Sequence, residues 1–178
     1  MDLDELLTSS RPFLAWLVDW HNSRPALPWT ELLEGPEGDP ARTAVFAVDV
    51  TSGFCSEGPL SSERVGSIVE PITRLFRQAY TRGVRYFILP QDTHTEDAIE
   101  FGSFPAHCVR GTSEPRTVTE LRNLSFSHLF QVIEKNSLSS SIDTELDVWL
   151  DDHPQVTTFL VVSTARISAC TSWPCICA

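Results

Sequence analysis

The groups in this chain best suited to chemistry lie in two short runs. They are Phe87-Ile88-Leu89-Pro90-Gln91-Asp92-Thr93-His94 and Phe104-Pro105-Ala106-His107-Cys108-Val109-Arg110-Gly111-Thr112, with Glu100 between them. Asp92, His94, Glu100 and His107 together offer two carboxylates and two imidazoles. That mixture suits zinc, manganese or iron(II), and the added carboxylate moves the preference toward harder ions. The competing reading is a polar loop whose histidines cap turns. Two more residues stand at the ends of apolar runs: Asp49 after Ala44-Val45-Phe46-Ala47-Val48, and Lys135 after the run 130–133. Lys135 is the single lysine among 13 Lys and Arg residues. A desolvated lysine can give up its proton whereas an arginine in practice cannot, so a chain that otherwise writes arginine draws attention to this position. Glu134 alternates to the opposite side and reads as structural; His128 and His153 read as surface residues.

These positions need a scaffold, and the apolar pattern supplies one. The run 44–48 is continuously apolar, as in a strand buried on both faces. Residues 59–83 follow with Val65, Ile68, Val69, Ile72, Leu75, Phe76 and Ala79 on one helical face, and Gly83 as a stop. A second strand is expected over 84–89, a short helix over 118–124, a third strand over 130–133, a helix over 142–152 and a fourth strand over 157–162. Strands alternating with helices predict a three-layer α/β domain with a Rossmann-like parallel sheet. In such sheets ligands sit beyond the carboxyl ends of the strands, where Asp49, Asp92, His94 and Lys135 all fall. Residues 1–42 read as a helical extension and linker. Ser9 or Ser10 is the expected cap, Pro12 lies in the first turn, and Phe13, Trp16, Leu17 and Trp20 form a stripe that docks on the domain.

Composition narrows the setting. The chain has 178 residues, enough for one domain with a real core and too few for two. A net charge of −11 argues against nucleic acid as a partner. No apolar stretch reaches the length that spans a bilayer, and the acidic start Met1-Asp2-Leu3-Asp4-Glu5 is unlike a secretory signal, so a cytoplasmic protein is expected. The five cysteines are skewed: Cys170, Cys175 and Cys177 crowd the end, with no second ligand cluster to complete a zinc knuckle.

Over residues 43–163 these motifs resemble the isochorismatase-like cysteine hydrolases, and within them the nicotinamidase branch. The resemblance implies a general base at Asp49 and a catalytic cation at Lys135, which lowers the pKa of a thiol and orients the base. It also implies a metal site at Asp92, His94 and His107. In the family's Asp-x-His pattern the residue six positions after the first His is another His; here it is Glu100, which leaves the metal open. Phe54 and Phe104 match the family's pocket aromatics, which stack on a flat ring. The implied substrate is a small carboxamide such as nicotinamide, with enol ethers and carbamoyl groups as alternatives. A homo-oligomer is compatible with the sequence and not required by it.

The resemblance breaks after the fourth strand. The family places its nucleophilic cysteine in a stretch like Thr-Asp-Leu-Cys-Val at a helix N-terminus, where dipole and amides favour the thiolate. This chain reads Ser163-Thr164-Ala165-Arg166-Ile167-Ser168-Ala169-Cys170. Read one base earlier, the codons of 164–178 permit Asp-Cys-Thr-Asp-Leu-Cys-Val-Tyr-Gln-Leu-Ala-Met-His-Leu-Arg. A one-base frameshift near Ser163 is therefore expected, with 164–178 an out-of-frame tail, the domain incomplete and the chain inactive as written. A native variant tail is the competing reading. A non-catalytic binding or scaffold domain is the rival function.

Overall fold

The structure is a computed structural model that describes residues 2–25, 27–34 and 38–164. The expected out-of-frame tail and Cys170 lie outside the described residues. Four parallel strands, β1 (Thr43–Val48), β2 (Tyr86–Asp92), β3 (Phe130–Lys135) and β4 (Thr158–Ser163), form one sheet in the order β3-β2-β1-β4. Among the described residues seven α-helices accompany them: α1 (Leu3–Asn22), α2 (Trp29–Glu34), α3 (Ser52–Cys55), α4 (Glu63–Gly66), α5 (Val69–Thr81), α6 (Thr119–Arg122) and α7 (Leu146–Asp152).

Every residue of β1 is buried, because helices cover both faces of the sheet. Alternate side chains feed two cores. Val45, Ala47, Phe87 and Leu89 pack with Val69, Ile72, Phe76 and Ala79 of α5 on one face. Ala44, Phe46 and Ile88 pack with Leu146 and Trp149 of α7 on the other. The α/β architecture expected from the sequence is therefore present. Helix α5 ends where Gly83 takes φ +102°, a conformation that an L side chain adopts only with strain.

Two strands run further than their apolar stretches. β2 continues through Pro90 to Asp92, although proline lacks the N–H of a ladder residue. The Pro90 carbonyl accepts from Asp49 N–H at 2.9 Å, but pairing with β1 stops at Phe46 and Ile88, and β2 reaches Asp92 through its pairing with β3, where Pro90 is the register partner of Ile133. β3 extends to Lys135, which becomes the register partner of Asp92.

The first 42 residues differ from expectation. Asp2, not a serine, caps α1 by accepting from Glu5 N–H at 2.8 Å, and Pro12 lies inside the helix. No residue of α1 is buried, and Trp16 is 57% exposed, so the apolar stripe does not dock on the described residues. The stretch expected as linker instead carries α2. Its Leu33 is 1% exposed in the α5 core, and Trp29 Nε1 donates to Gln78 Oε1 at 2.7 Å. No described helix is long and apolar enough to cross a membrane.

Candidate active site

The carboxyl ends of β1, β2 and β3 bring two groups of side chains together. At the end of β1 the backbone turns sharply: Asp49 has φ +59°, and its amide and carbonyl bond Pro90 O and Thr51 N–H. This aims the carboxylate across the sheet edge. Asp49 Oδ1 accepts from Asp92 N–H at 2.9 Å, and Oδ2 lies 3.1 Å from Lys135 Nζ. Lys135, 2% exposed, also donates to Asp92 Oδ1 and, at 3.3 Å, to Ser137 O. One buried cation thus sits between two buried carboxylates, as the placement of these residues after adjacent strands requires.

The electrostatics separate the two acids. Burial, with the charge of Asp92, pushes Asp49 up to about 6 against the pull of Lys135. Burial would raise Asp92 too, but the nearby imidazoles of His107 and His94 and the charge of Lys135 outweigh it and hold that carboxyl well below the usual range. Burial lowers Lys135, and the charges of Asp49 and Asp92 more than reverse this, so it stays an ammonium. An acid near 6 is ionised at neutral pH and still a usable proton acceptor, the balance that general-base work needs.

The second group is Asp92, His94, Glu100 and His107, each offering one ligand atom, all within 4.8 Å of one another. His94 Nε2 lies 2.7 Å from Glu100 Oε1 and 3.5 Å from Asp92 Oδ2. His107 Nε2 lies 3.3 Å and 3.7 Å from the same two oxygens. The 2.7 Å approach lacks hydrogen-bond alignment, and His94 Nε2 and Glu100 Oε1 are both buried without a hydrogen-bond partner. Each histidine has its Nδ1 engaged elsewhere: His94 with Asn136 Oδ1 at 3.1 Å, His107 with Pro105 O at 2.8 Å. In the neutral rings Nδ1–H donates outward and the Nε2 lone pairs face inward. Orphaned inward donors with outward-anchored rings are what a divalent cation requires, so the four residues fit a metal. Turn capping does not explain them, because the Nε2 atoms cap nothing.

Phe54 packs edge-on against His107 at 5.5 Å. Phe104 is 43% exposed and makes no ring contact among the described residues. Phe101 instead packs edge-on against His94 and His107, at 5.3 and 5.6 Å. Reading the sequence missed Phe101, Asn136 and Glu114. Glu114 Oε2 accepts from the N–H of Cys108, itself at φ +45°, at 2.8 Å. Asn136 had a usable signal, an amide residue directly after a strand-end lysine. Glu114 had none.

The two described cysteines are poor nucleophiles. Burial, with Glu120 nearby, pushes Cys55 up to about 11; burial pushes Cys108 up to about 12 against a hydrogen bond from Thr51. β4 ends beside Asp49, with Ser163 the register partner of Val48. Ser163 therefore stands at the same edge as the acid and the lysine.

Residues 43–162 match the isochorismatase domain. Solved structures of similar fold include pyrazinamidase/nicotinamidase from Streptococcus mutans UA159, at 25% identity and TM-score 0.60, with 68% of this chain and 71% of that one aligned. The pyrazinamidase of Pyrococcus horikoshii in complex with zinc aligns at 21% identity and TM-score 0.60, over 70% of this chain and 71% of that one. N-carbamoylsarcosine amidase from Thermoplasma acidophilum aligns at 21% identity and TM-score 0.60, over 68% of this chain and 67% of that one. The chain thus spans about two thirds of the length of these structures. No curated protein sequence gives a significant match.

Proposed function

The chain belongs to the isochorismatase family, and from that premise we propose that its sheet edge is the acid–base and metal half of a hydrolase acting on the C–N bond of a small carboxamide of nicotinamide type. The observation that carries this is the Asp49–Lys135 pair at 3.1 Å, joined through Asp92 to a four-ligand cluster. A structural ion pair alone gives no reason for two orphaned, inward-facing ligand atoms beside it.

The chemistry is acyl transfer. A cysteine thiol reached beyond Ser163 passes its proton to Asp49 as sulfur bonds the amide carbon. Lys135 keeps Asp49 ionised and in place. The proton moves on to the leaving nitrogen as the C–N bond breaks, and ammonia departs. Water then adds to the thioester, giving a proton to Asp49, and the S–C bond breaks to release the acid and the thiol. Asp92, His94, Glu100 and His107 would hold zinc, manganese or iron, which supplies a Lewis-acid contact to a lone pair on the substrate. Phe54 and Phe101 wall the cluster with apolar ring surface. A cytoplasmic setting suits a reduced thiol.

Residues 163–170 do not carry the family's Thr-Asp-Leu-Cys-Val pattern. This supports the expected frameshift and a chain that is inactive as written, and it favours, as a second reading, a domain that binds the amide without turning it over. Ammonia release from nicotinamide separates them. The expected result is that the frame-restored protein turns nicotinamide over and the chain as written does not. No release from either protein, with nicotinamide bound by both, establishes the binding domain instead.

A further inference from the structure

Asn136 stands where the two halves of the site meet. It directly follows Lys135 in the chain. Its Oδ1 lies 3.1 Å from the N–H of Thr95 and 3.1 Å from His94 Nδ1, while its Nδ2 donates to Thr95 Oγ1 at 3.2 Å. These three contacts assign the amide. A backbone N–H can only donate, so the atom facing it is the oxygen. That oxygen can only accept, so His94 Nδ1 carries a proton and donates to it. In the neutral ring, the lone pair is then on Nε2. This is the atom that is buried without a hydrogen-bond partner and faces Asp92 and Glu100.

We propose that Asn136 is a positioning residue that selects the tautomer of His94 and fixes the roll of its ring, so that Nε2 is delivered to the cluster as a ligand. The inference rests on the metal reading of that cluster and adds to it a residue that touches neither metal nor substrate. The other neighbour of this ring, Phe101, packs edge-on at 5.3 Å and limits its tilt, but an apolar edge cannot choose between two nitrogens. His107 is served by the backbone carbonyl of Pro105, which no substitution removes. Among the described residues Asn136 is therefore the one side chain whose replacement releases Nδ1 of a cluster imidazole. It is also exposed, so its loss leaves the core untouched. Because Lys135 and Asn136 are consecutive at the end of β3, a single strand end sets both the cation of the acid pair and the orientation of a metal ligand.

The test uses the full chain, with zinc alone as the probe, in three forms: parent, Asn136→Ala and Asn136→Asp. Calorimetric titration gives the zinc affinity, and proton–nitrogen NMR of the zinc-loaded protein follows the His94 Nδ1–H. The expected result is zinc binding weaker by about 10–100-fold in the Ala variant, the usual loss when an outer hydrogen bond to a ligand is removed. The melting temperature of the metal-free protein stays unchanged. The Asp variant, which keeps an acceptor oxygen, loses less. The Nδ1–H resonance is protected from exchange in the parent and the Asp variant and lost in the Ala variant. Parent-like affinity in the Ala variant overturns the inference and leaves the metal site standing. Equal losses in both variants, with the resonance kept in both, overturn it too. A parent that binds no zinc overturns the metal reading and this inference together, and that result is recognisable before any variant is made.

Discussion

Replacing Lys135 with methionine keeps most of the side-chain volume and removes the charge between Asp49 and Asp92. At 3.1 Å, one charge pair is worth about 5 kcal/mol at an effective dielectric of about 20. Two carboxylates share this cation, and the removal of water from all three groups offsets much of the attraction. Breaking a buried pair by deleting one partner costs about 3–5 kcal/mol, because the survivors stay buried and unpaired. That is the destabilisation expected of Lys135→Met at pH 8. The loss should depend on pH in a definite direction. Asp49 already titrates at about 6 with Lys135 pulling it down, so without that pull it titrates higher. An acid raised in the folded state stabilises fully below its unfolded value near 3.8, and that contribution is lost as pH rises through the folded value. The penalty is therefore largest at pH 8 and shrinks toward pH 5, as Asp49 takes up a proton and the repulsion with Asp92 disappears. Urea unfolding of the metal-free chain at both pH values measures it, and adding Asp49→Asn to the variant should recover much of the loss at pH 8. A penalty under about 1 kcal/mol at pH 8 would refute the reasoning, since breaking a buried pair costs several times that. So would a penalty that grows on acidification.

Three further expectations follow from the same edge. Glu100→His exchanges a carboxylate for an imidazole and should move metal preference from manganese toward zinc, read by competition between the two ions. Cys55, pushed up to about 11 from 9.0, should react with iodoacetamide about 100-fold more slowly at pH 8 than a free cysteine; timed alkylation with peptide mapping counts it apart from the cysteines of residues 170–177. Glu114→Ala strips the acceptor from the Cys108 N–H, held at φ +45°, and should destabilise the chain by about 1–3 kcal/mol in urea unfolding.

The sheet was legible because its information is local. A five-residue apolar run such as 44–48 can be satisfied only between two layers, and the spacing of Val69, Ile72, Phe76 and Ala79 supplies one of them. Strand ends were less legible. Pro90 and Gln91 look like loop, yet β2 continues through them because its pairing with β3 runs on to Asp92 and Lys135. The candidate ligand set followed from the resemblance to the family's Asp-x-His pattern, whereas the groups that orient it had no such guide. Asn136 reaches His94 across 42 residues, and Glu114 reaches the Cys108 amide around a turn that no pattern announces. At the N-terminus, Asp2 is a capping residue as good as Ser9 or Ser10, and choosing it moves the helix start by a full two turns. Exposure of the α1 stripe could not be foreseen, because helical periodicity says which residues share a face and not what that face meets.

We propose that Asp49, held by Lys135 at the sheet edge, serves a thiol that a restored reading frame would place beyond Ser163. Ammonia release from nicotinamide by the frame-restored protein and by its Asp49→Asn variant tests it most directly. The variant keeps the shape and the hydrogen bond from Asp92 N–H but cannot take a proton. The expected result is a kcat lower by about 10²–10⁴, the usual contribution of a positioned general base. A variant that keeps its rate within about twofold, far inside that range, would contradict it.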